Sequence, residues 1–355
     1  MQNRLSKLIL CGVMLVLAGC AGGPDVAPTT YDKMRGWNND AHFQALESFM
    51  HSCERASPPH MKGLIAKSHS ISKTRWRTIC NRAEAVERSK SDRAAKQFFE
   101  REFLPYNVSN RGKRNGIFTG YYIPVLNGSL TRTSRYQYPA YPVPARAHRK
   151  NSHAAITNGA LRGKGYEILW LDDDVMLFFA QIQGSALVRL QSGEIVKLAY
   201  AGKNGHSYFA IGKALIEEEE IAKEDMSLQA LRKWLYEARE VDKKRIMHMN
   251  RSYVYFKLER GDHVRDILGA GSVPLTGGRS LAVDDEYIPY HLPMYLNTTL
   301  PTGQNYRRLM MTQDTGGAIR GKVRGDVYFG IGEQAERKAG AMNNKGKWTI
   351  LLPRP

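Results

Sequence analysis

The chain holds 355 residues, 42% of them hydrophobic and 10% aromatic, which suits one large or two ordinary domains and is enough to build a real core. Its 52 Lys and Arg against 34 Asp and Glu give a formal net charge of +18, which points to a polyanionic partner or a nearby anionic surface. Charge alone does not choose between nucleic acid, membrane and an acidic polymer.

The first residues do choose a compartment. Arg4 and Lys7 precede an apolar run, Leu8 to Leu17, that ends in Leu17-Ala18-Gly19-Cys20. The run is too short for a bilayer core of roughly 30 Å, so residues 1–19 read as an export signal and not an anchor helix. The Leu-Ala-Gly-Cys ending resembles the lipobox of bacterial lipoproteins, which implies cleavage before Cys20, acylation of Cys20 and, with Ala21 in second place, sorting to the outer membrane. The plain alternative is a signal peptide that happens to end in cysteine. Residues 20–30 lack apolar periodicity and read as a lipid-anchored flexible tether. With Cys11 in the signal and Cys20 on lipid, Cys53 and Cys80 remain. A disulfide in an oxidising periplasm and two buried thiols both suit their places on apolar helix faces.

From His42 to Tyr106 the pattern is helical. Phe43, Leu46, Phe49, Met50 and Cys53 recur at spacings of three and four; Trp76, Ile79, Cys80 and Ala83 repeat this, and Asp92 can cap a third helix ending at Pro105. His42, His51, His60 and His69 recur every nine residues, which puts neighbours on opposite helix faces, so no metal site is expected. Between Gly116 and Leu198 the pattern predicts strands, among them Tyr166 to Leu171, Val175 to Gln183 and a hairpin at Ser192-Gly193; the Asp172–Asp174 triplet reads as a solvated turn. Two helices follow, Tyr208 to Ala222 and Ser227 to about Met249. Strands return at Tyr253–Leu258, Arg279–Val283, Pro293–Asn297, Leu309–Gln313, Val327–Phe329 and Trp348–Leu352. Strands so far apart imply one barrel or sheet assembled from distant segments, with the middle β unit inserted into it.

Several motifs fail on context. Gly330-Ile331-Gly332-Glu333-Gln334-Ala335 matches the dinucleotide fingerprint, yet nothing acidic follows Glu336. Ser70-Ile71-Ser72-Lys73 lacks the companion motifs of penicillin-recognising enzymes. Nucleic acid suits the charge but is not a partner an exported lipoprotein meets. Asp314-Thr315-Gly316 occurs once, where an aspartic protease needs two copies; that leaves a homodimeric protease as a distant alternative, with pepstatin as its test.

The richest stretch is Met311 to Phe329. Asp314 and Asp326 flank four glycines (Gly316, Gly317, Gly321, Gly325) and three cations (Arg320, Lys322, Arg324). Val327, Tyr328 and Phe329 should raise the pKa of Asp326 and keep it protonated, whereas backbone amides and Arg320 should keep Asp314 ionised. Two carboxylates in opposed settings are the pattern of a glycoside-cleaving site. The same aspartates could serve only as turn acceptors.

Gln313-Asp314-Thr315-Gly316-Gly317-Ala318-Ile319-Arg320-Gly321 with Val323-Arg324-Gly325-Asp326 resembles the C-terminal signature of the membrane-bound lytic murein transglycosylase A (MltA) family. Phe118-Thr119-Gly120-Tyr121-Tyr122, Gln181-Ile182-Gln183-Gly184-Ser185, Tyr200-Ala201-Gly202-Lys203-Asn204 and Val273-Pro274-Leu275-Thr276 agree in family order. Ala186 departs from the family's more usual Gly. The resemblance implies a mainly β protein: a double-psi β-barrel domain with N-terminal and middle helices (31–124 plus 200–355), a smaller inserted β domain (125–199) and a groove between them. It implies a peptidoglycan lytic transglycosylase with Asp326 as single acid/base, Asp314 in support, and Thr119, Tyr121, Gln183, Lys203 and Gly317 as substrate contacts. Glycan strands and the outer membrane are the implied partners, with other cell-wall enzymes beside them, and no metal or cofactor. A non-catalytic peptidoglycan-binding lipoprotein is the alternative from another class.

Overall fold

A computed structural model of the chain describes residues 25–55, 57–65, 69–300 and 302–355; the export signal, Cys20 and the first part of the tether lie outside them. The described chain starts with β1 (Val26–Pro28), followed by α1 (His42–Cys53), α2 (Lys73–Glu87) and α3 (Asp92–Glu102). Ser72 and Ser91 cap the last two, each accepting from the amide three residues on, so Ser91 takes the capping role expected of Asp92. Asp92 instead accepts from the Phe43 N–H at 2.9 Å, tying α3 to the start of α1. The third helix stops at Glu102 because Pro105 already belongs to β2 (Phe103–Val108).

After β2 come β3 (Gly116–Ile123) and a long excursion: β4 (Val125–Ser129), β5 (Tyr138–Ala140), α4 (His153–Ala155), β6 (Leu169–Leu171), α5 (Asp174–Gln183), β7 (Ala186–Leu190), β8 (Ile195–Lys203), α6 (Gly212–Glu217), α7 (Leu228–Glu237), α8 (Glu240–Met249) and β9 (Val254–Glu259). The chain then returns through β10 (Ser280–Val283), β11 (Pro293–Thr299), β12 (Asn305–Asp314), β13 (Arg324–Ile331), α9 (Glu333–Ala341) and β14 (Asn343–Pro353).

Two mixed sheets result. The first has the order β1-β2-β14-β11-β12-β10-β13-β3, and β14 also pairs β3, so six of its strands curl into a barrel-like sheet. The early part of β14 pairs β3 (Asn343 opposite Thr119), and its later part pairs β11 and β2 (Ile350 opposite Met294 and Tyr106). Alternation explains the burial: Met294, Leu296, Met310, Trp348, Ile350 and Leu352 fill the barrel, while Tyr295, Leu309, Met311 and Leu351 face outward under α1 to α3. With both faces covered, these strands read as continuous apolar runs. Each fully buried Leu, Met or Phe contributes roughly 1.5–3 kcal/mol.

The second sheet, β5-β6-β4-β7-β8-β9, spans Val125 to Glu259. It therefore reaches beyond residue 199, where the sequence placed the end of the inserted unit. Helices α6 to α8 go with it, because Leu215, Leu231, Leu235 and Ile246 pack on Val175, Phe178 and Phe179 of α5. The α5 segment itself corrects a strand prediction. Its residues are buried on both sides, Leu177 and Ala180 towards the sheet and Phe178 and Phe179 towards α6 to α8, which erases the amphipathic period. Asp173 is its N-cap, accepting from the Met176 N–H at 3.0 Å, and Gly184 closes it in the left-handed region at φ 85°. The acidic triplet is thus no solvated turn: Asp172 pairs with Arg135 and Asp174 with Lys243. The predicted helix from Ser227 divides into α7 and α8 because Ala238 is extended.

The tether is also shorter than read. β1 pairs antiparallel with β2, Val26 opposite Val108. Cys53 and Cys80 form a disulfide joining α1 to α2. By loop-closure entropy over its 27-residue separation, replacing both by Ser is expected to cost roughly 3–4 kcal/mol, read as a lower denaturation midpoint with a steeper slope, because the unlinked denatured chain exposes more surface.

Candidate active site

Strand register assembles the site. Asp314 at the end of β12 lies opposite Ala282 of β10, Ala282 lies opposite Asp326 of β13, and Asp326 lies opposite Thr119 of β3. Facing residues project to one side of a sheet, so this row puts two carboxylates two strand spacings apart, roughly 9–10 Å between their Cα atoms, with only the methyl of Ala282 between. Tyr121, two residues along β3 from Thr119, projects to the same side.

The hydrogen bonds are specific. The Thr119 hydroxyl donates to Asp326 Oδ1 at 2.7 Å and accepts from Arg324 Nη2 at 2.8 Å. The Tyr121 hydroxyl donates to Asp314 Oδ2 at 2.6 Å, and the Ala270 N–H donates to Asp314 Oδ1 at 2.8 Å. Burial drives the Asp326 pKa up to about 6; the charge of Arg324 and the Thr119 hydrogen bond oppose that rise, and the charge of Asp314 adds to it. Burial also raises Asp314, against the pull of its Tyr121 and Ala270 hydrogen bonds. Burial and the Asp314 charge push Tyr121 well above the ordinary phenol value, so it stays a donor.

Two expectations change here. Asp314 is not held by Arg320, which instead lies 3.6 Å from Asp284, and the two carboxylates do not sit in opposed settings, since burial lifts both. Asp284 anchors the Gly-rich loop by accepting from the Gly321 N–H at 2.6 Å, where φ of 109° requires glycine. Behind the site, buried Gln313 accepts from Ser280 at 2.6 Å and donates to the Ser48 carbonyl at 2.8 Å, locking β12 to α1 immediately before Asp314.

A groove of about 1170 Å³ runs between the two sheets, and Thr119, Tyr121, Gln183, Lys203, Asp314, Gly317 and Asp326 all line it. Gln183 also accepts from the Tyr122 N–H at 3.1 Å, which braces α5 against β3. A Cβ added at Gly317 would meet nothing within 4 Å, so the space there is open to a ligand. The side chain of Ala186 is fully buried in the second sheet's core and does not reach the groove. Sequence reasoning missed the Ala270 amide, the partly exposed Tyr200 and Tyr208 rings in the groove, and the pairing of Arg324 with Thr119. The i,i+2 spacing of Arg324 and Asp326 on one strand face was the available signal for the last. Among the described residues no group of three or more His, Cys, Asp or Glu could hold a metal ion.

Thr119→Val removes a hydrogen bond that favours the charged carboxylate. It is expected to raise the Asp326 pKa from about 6 by roughly one unit in an NMR titration, while Asp314 stays in place.

The MltA specific insert domain matches residues 117–154 and 146–257, and the 3D domain matches 279–352. The chain is 33% identical over 371 aligned positions to membrane-bound lytic murein transglycosylase A of Escherichia coli (strain K12), covering 100% of this chain and 98% of that protein. Among solved structures, the membrane-bound lytic murein transglycosylase of Agrobacterium tumefaciens superimposes with a TM-score of 0.78 at 29% identity, covering 93% of this chain and 98% of that one. Escherichia coli MltA with bound chitohexaose gives a TM-score of 0.72 at 31% identity, over 93% and 92% of the two chains. With likeness over its full length in sequence, and in a barrel-like sheet interrupted by the same insert, the chain belongs to the membrane-bound lytic murein transglycosylase A family.

Proposed function

We propose that this protein is a lytic transglycosylase that cleaves the β-1,4 bond between N-acetylmuramic acid and N-acetylglucosamine in peptidoglycan and leaves a 1,6-anhydro ring. The observation that carries the reading is Asp326: a half-buried carboxyl lining the groove with a pKa of about 6, next to the Thr119–Arg324 pair. Such a group is about half protonated near pH 6 and still about a tenth protonated near pH 7, so it can donate to a glycosidic oxygen.

The reaction follows from one carboxyl. Asp326 protonates the bridging oxygen, and the bond to the muramic acid anomeric carbon breaks through an oxocarbenium-like state. The muramic acid's own C6 hydroxyl then closes on that carbon and returns its proton to Asp326. The nucleophile is intramolecular, with a very high effective concentration, so neither an activated water nor an enzyme nucleophile is needed. Asp314, fixed by Tyr121 and the Ala270 amide, supports the site through its charge, which favours the protonated form of Asp326. Thr119 orients Asp326, and Tyr121, Gln183, Lys203 and Gly317 contact the glycan.

Three finer proposals accompany this. The barrel is of the double-psi type, supported by parallel β10–β12 and β13–β3 pairs within a mainly antiparallel sheet. The inserted domain is 125–259, supported by its own sheet and core. Cys20 is acylated and holds the protein on the periplasmic face of the outer membrane, with other cell-wall enzymes as neighbours; normal processing of the precursor under globomycin would refute the acylation. Among the described residues no helix is long and apolar enough to cross a membrane.

Mass spectrometry of sacculi digested with the purified protein tests the activity. Anhydro-muropeptides are expected. Unchanged sacculi that nevertheless retain the protein would make it a non-catalytic binder.

A further inference from the structure

A pocket on one face of the barrel, whose lining shares no residue with the groove, carries charge that the reaction does not use. The charge begins at the root of the tether. Asp25 accepts from the Arg111 N–H at 2.8 Å and from Lys322 Nζ at 2.5 Å, and its carbonyl accepts from the Ser109 N–H at 2.7 Å. The hairpin tip that holds it reads Asn110-Arg111-Gly112-Lys113-Arg114-Asn115. Asn115 in turn lines a polar cavity of about 310 Å³ together with Arg307, Lys345 and Lys347. The cavity sits where β14 passes from β3 to β11, with Gly346 opposite Gly116 and Lys347 opposite Asn297.

Segments 107–117, 296–300, 302–308 and 343–347, which meet at this face, contain no Asp or Glu. Lys113, Lys345 and Lys347 are exposed, and no ion pair neutralises them among the described residues. Like charges gathered without counter-charges repel one another, so the cluster gives the fold nothing and suits an external anion.

We propose that this face docks on anionic phospholipid headgroups and lays one end of the barrel against the membrane that carries the acyl anchor; the proposal rests on the acylation of Cys20 given above. Chain length supports it. Five residue steps separate Cys20 from Asp25, a reach of at most about 18 Å even when fully extended. The basic hairpin is therefore confined close to the layer, about 8 Å deep at physiological salt, in which a charged bilayer attracts cations. The lining supports lipid over glycan as the occupant: the cavity has no aromatic ring for a sugar to stack on, whereas the groove has Tyr121, Tyr200 and Tyr208. Lys322 belongs to the loop between Asp314 and Asp326, so its pair with Asp25 joins the tether root to a segment that walls the groove. Docking would thus fix the direction in which the groove opens relative to the membrane.

The test uses the processed full-length protein on vesicles of phosphatidylcholine alone and of phosphatidylcholine with added phosphatidylglycerol, read by co-sedimentation and hydrogen exchange. Sedimentation with both is expected through the anchor. Slowed exchange at 107–117 and 343–347 is expected only with phosphatidylglycerol, and it should vanish at high salt. At roughly fivefold per lysine, Lys113→Gln/Lys345→Gln/Lys347→Gln should weaken docking about a hundredfold and leave turnover of soluble glycan unchanged. Equal exchange on the two vesicle types overturns the proposal, as does protection by soluble muropeptides, which would make the face a second wall site. Sedimentation with anionic vesicles alone would refute the anchor while upholding the surface. Lost turnover on soluble glycan bears on the catalytic reading instead.

Discussion

Asp326→Asn is expected to keep the fold and lose activity by a factor on the order of 10² to 10⁴ or more, the usual weight of a general acid. Asn is nearly isosteric, its Oδ1 can still accept from Thr119, and only the transferable proton goes. In the unmodified protein, kcat/KM should be highest where Asp326 is protonated and fall as pH rises through about 6. The same substitution should change stability in the opposite sense. The folded-state pKa of about 6 lies above the 3.8 of an ordinary aspartate. The native state therefore binds this proton more tightly, and its contribution to stability is full below about pH 4 and lost as pH rises through 6. At pH 7 the ionised carboxylate destabilises the fold by roughly 2–3 kcal/mol, since a tenfold change in proton affinity corresponds to about 1.4 kcal/mol. Asp326→Asn should then melt higher than the parent at pH 7 and no higher at pH 3.5. Near-normal turnover in sacculus digests would move the proton-transfer role to Asp314.

The second large effect lies outside the groove. Arg279, 2% exposed, pairs with Asp40 at 3.0 Å and donates to the carbonyls of Leu309 and Ala41 at 2.9 Å each. Asp40 also accepts from the Leu309 N–H at 2.6 Å. This cluster joins the segment before α1 to β12 and the start of β10, the two strands that carry Asp314 and Ala282. Asp40→Ala leaves a buried guanidinium without its counter-charge and is expected to cost roughly 3–5 kcal/mol. Replacing the pair together, as Asp40→Ala with Arg279→Met, should cost clearly less, because no uncompensated charge remains. Chemical denaturation of the three proteins checks this. Equal losses for the single and double variants would mean that packing, not charge, dominates.

What the sequence made legible follows from where periodic patterns survive. The N-terminal helices kept one wet face, so Leu46, Phe49 and Ile79 stood out at helical spacing. Segment α5 has no wet face, and a run apolar on all sides looks the same as helix or buried strand; Asp173 as a cap was the clue that went unread. That the second sheet runs past residue 199 was hidden because β8 and β9 join it by pairing, which leaves no mark on composition. In the site, Asp314 and Asp326 were visible as residues, but their partners were not. Ala270 contributes a backbone amide that any residue type could supply. Arg320 was read as the cation beside Asp314, whereas strand register places Arg324, which had no assigned role, on the face of Thr119.

Thr119 and Asp326, in hydrogen-bond contact, stand 207 residues apart in sequence, and their strands lie side by side in parallel. Closing a loop that long is entropically slow, and parallel pairing of distant strands is slower than forming helices or hairpins. The excursion from Val125 to Glu259 has its own sheet and hydrophobic core, so folding it first would shorten the loop that remains to be closed. The Thr119–Asp326 contact is therefore expected to form in the last step of assembly. During refolding, helical signal should return well before activity, and a chain arrested short of that step would hold a folded insert and an open barrel with no competent acid.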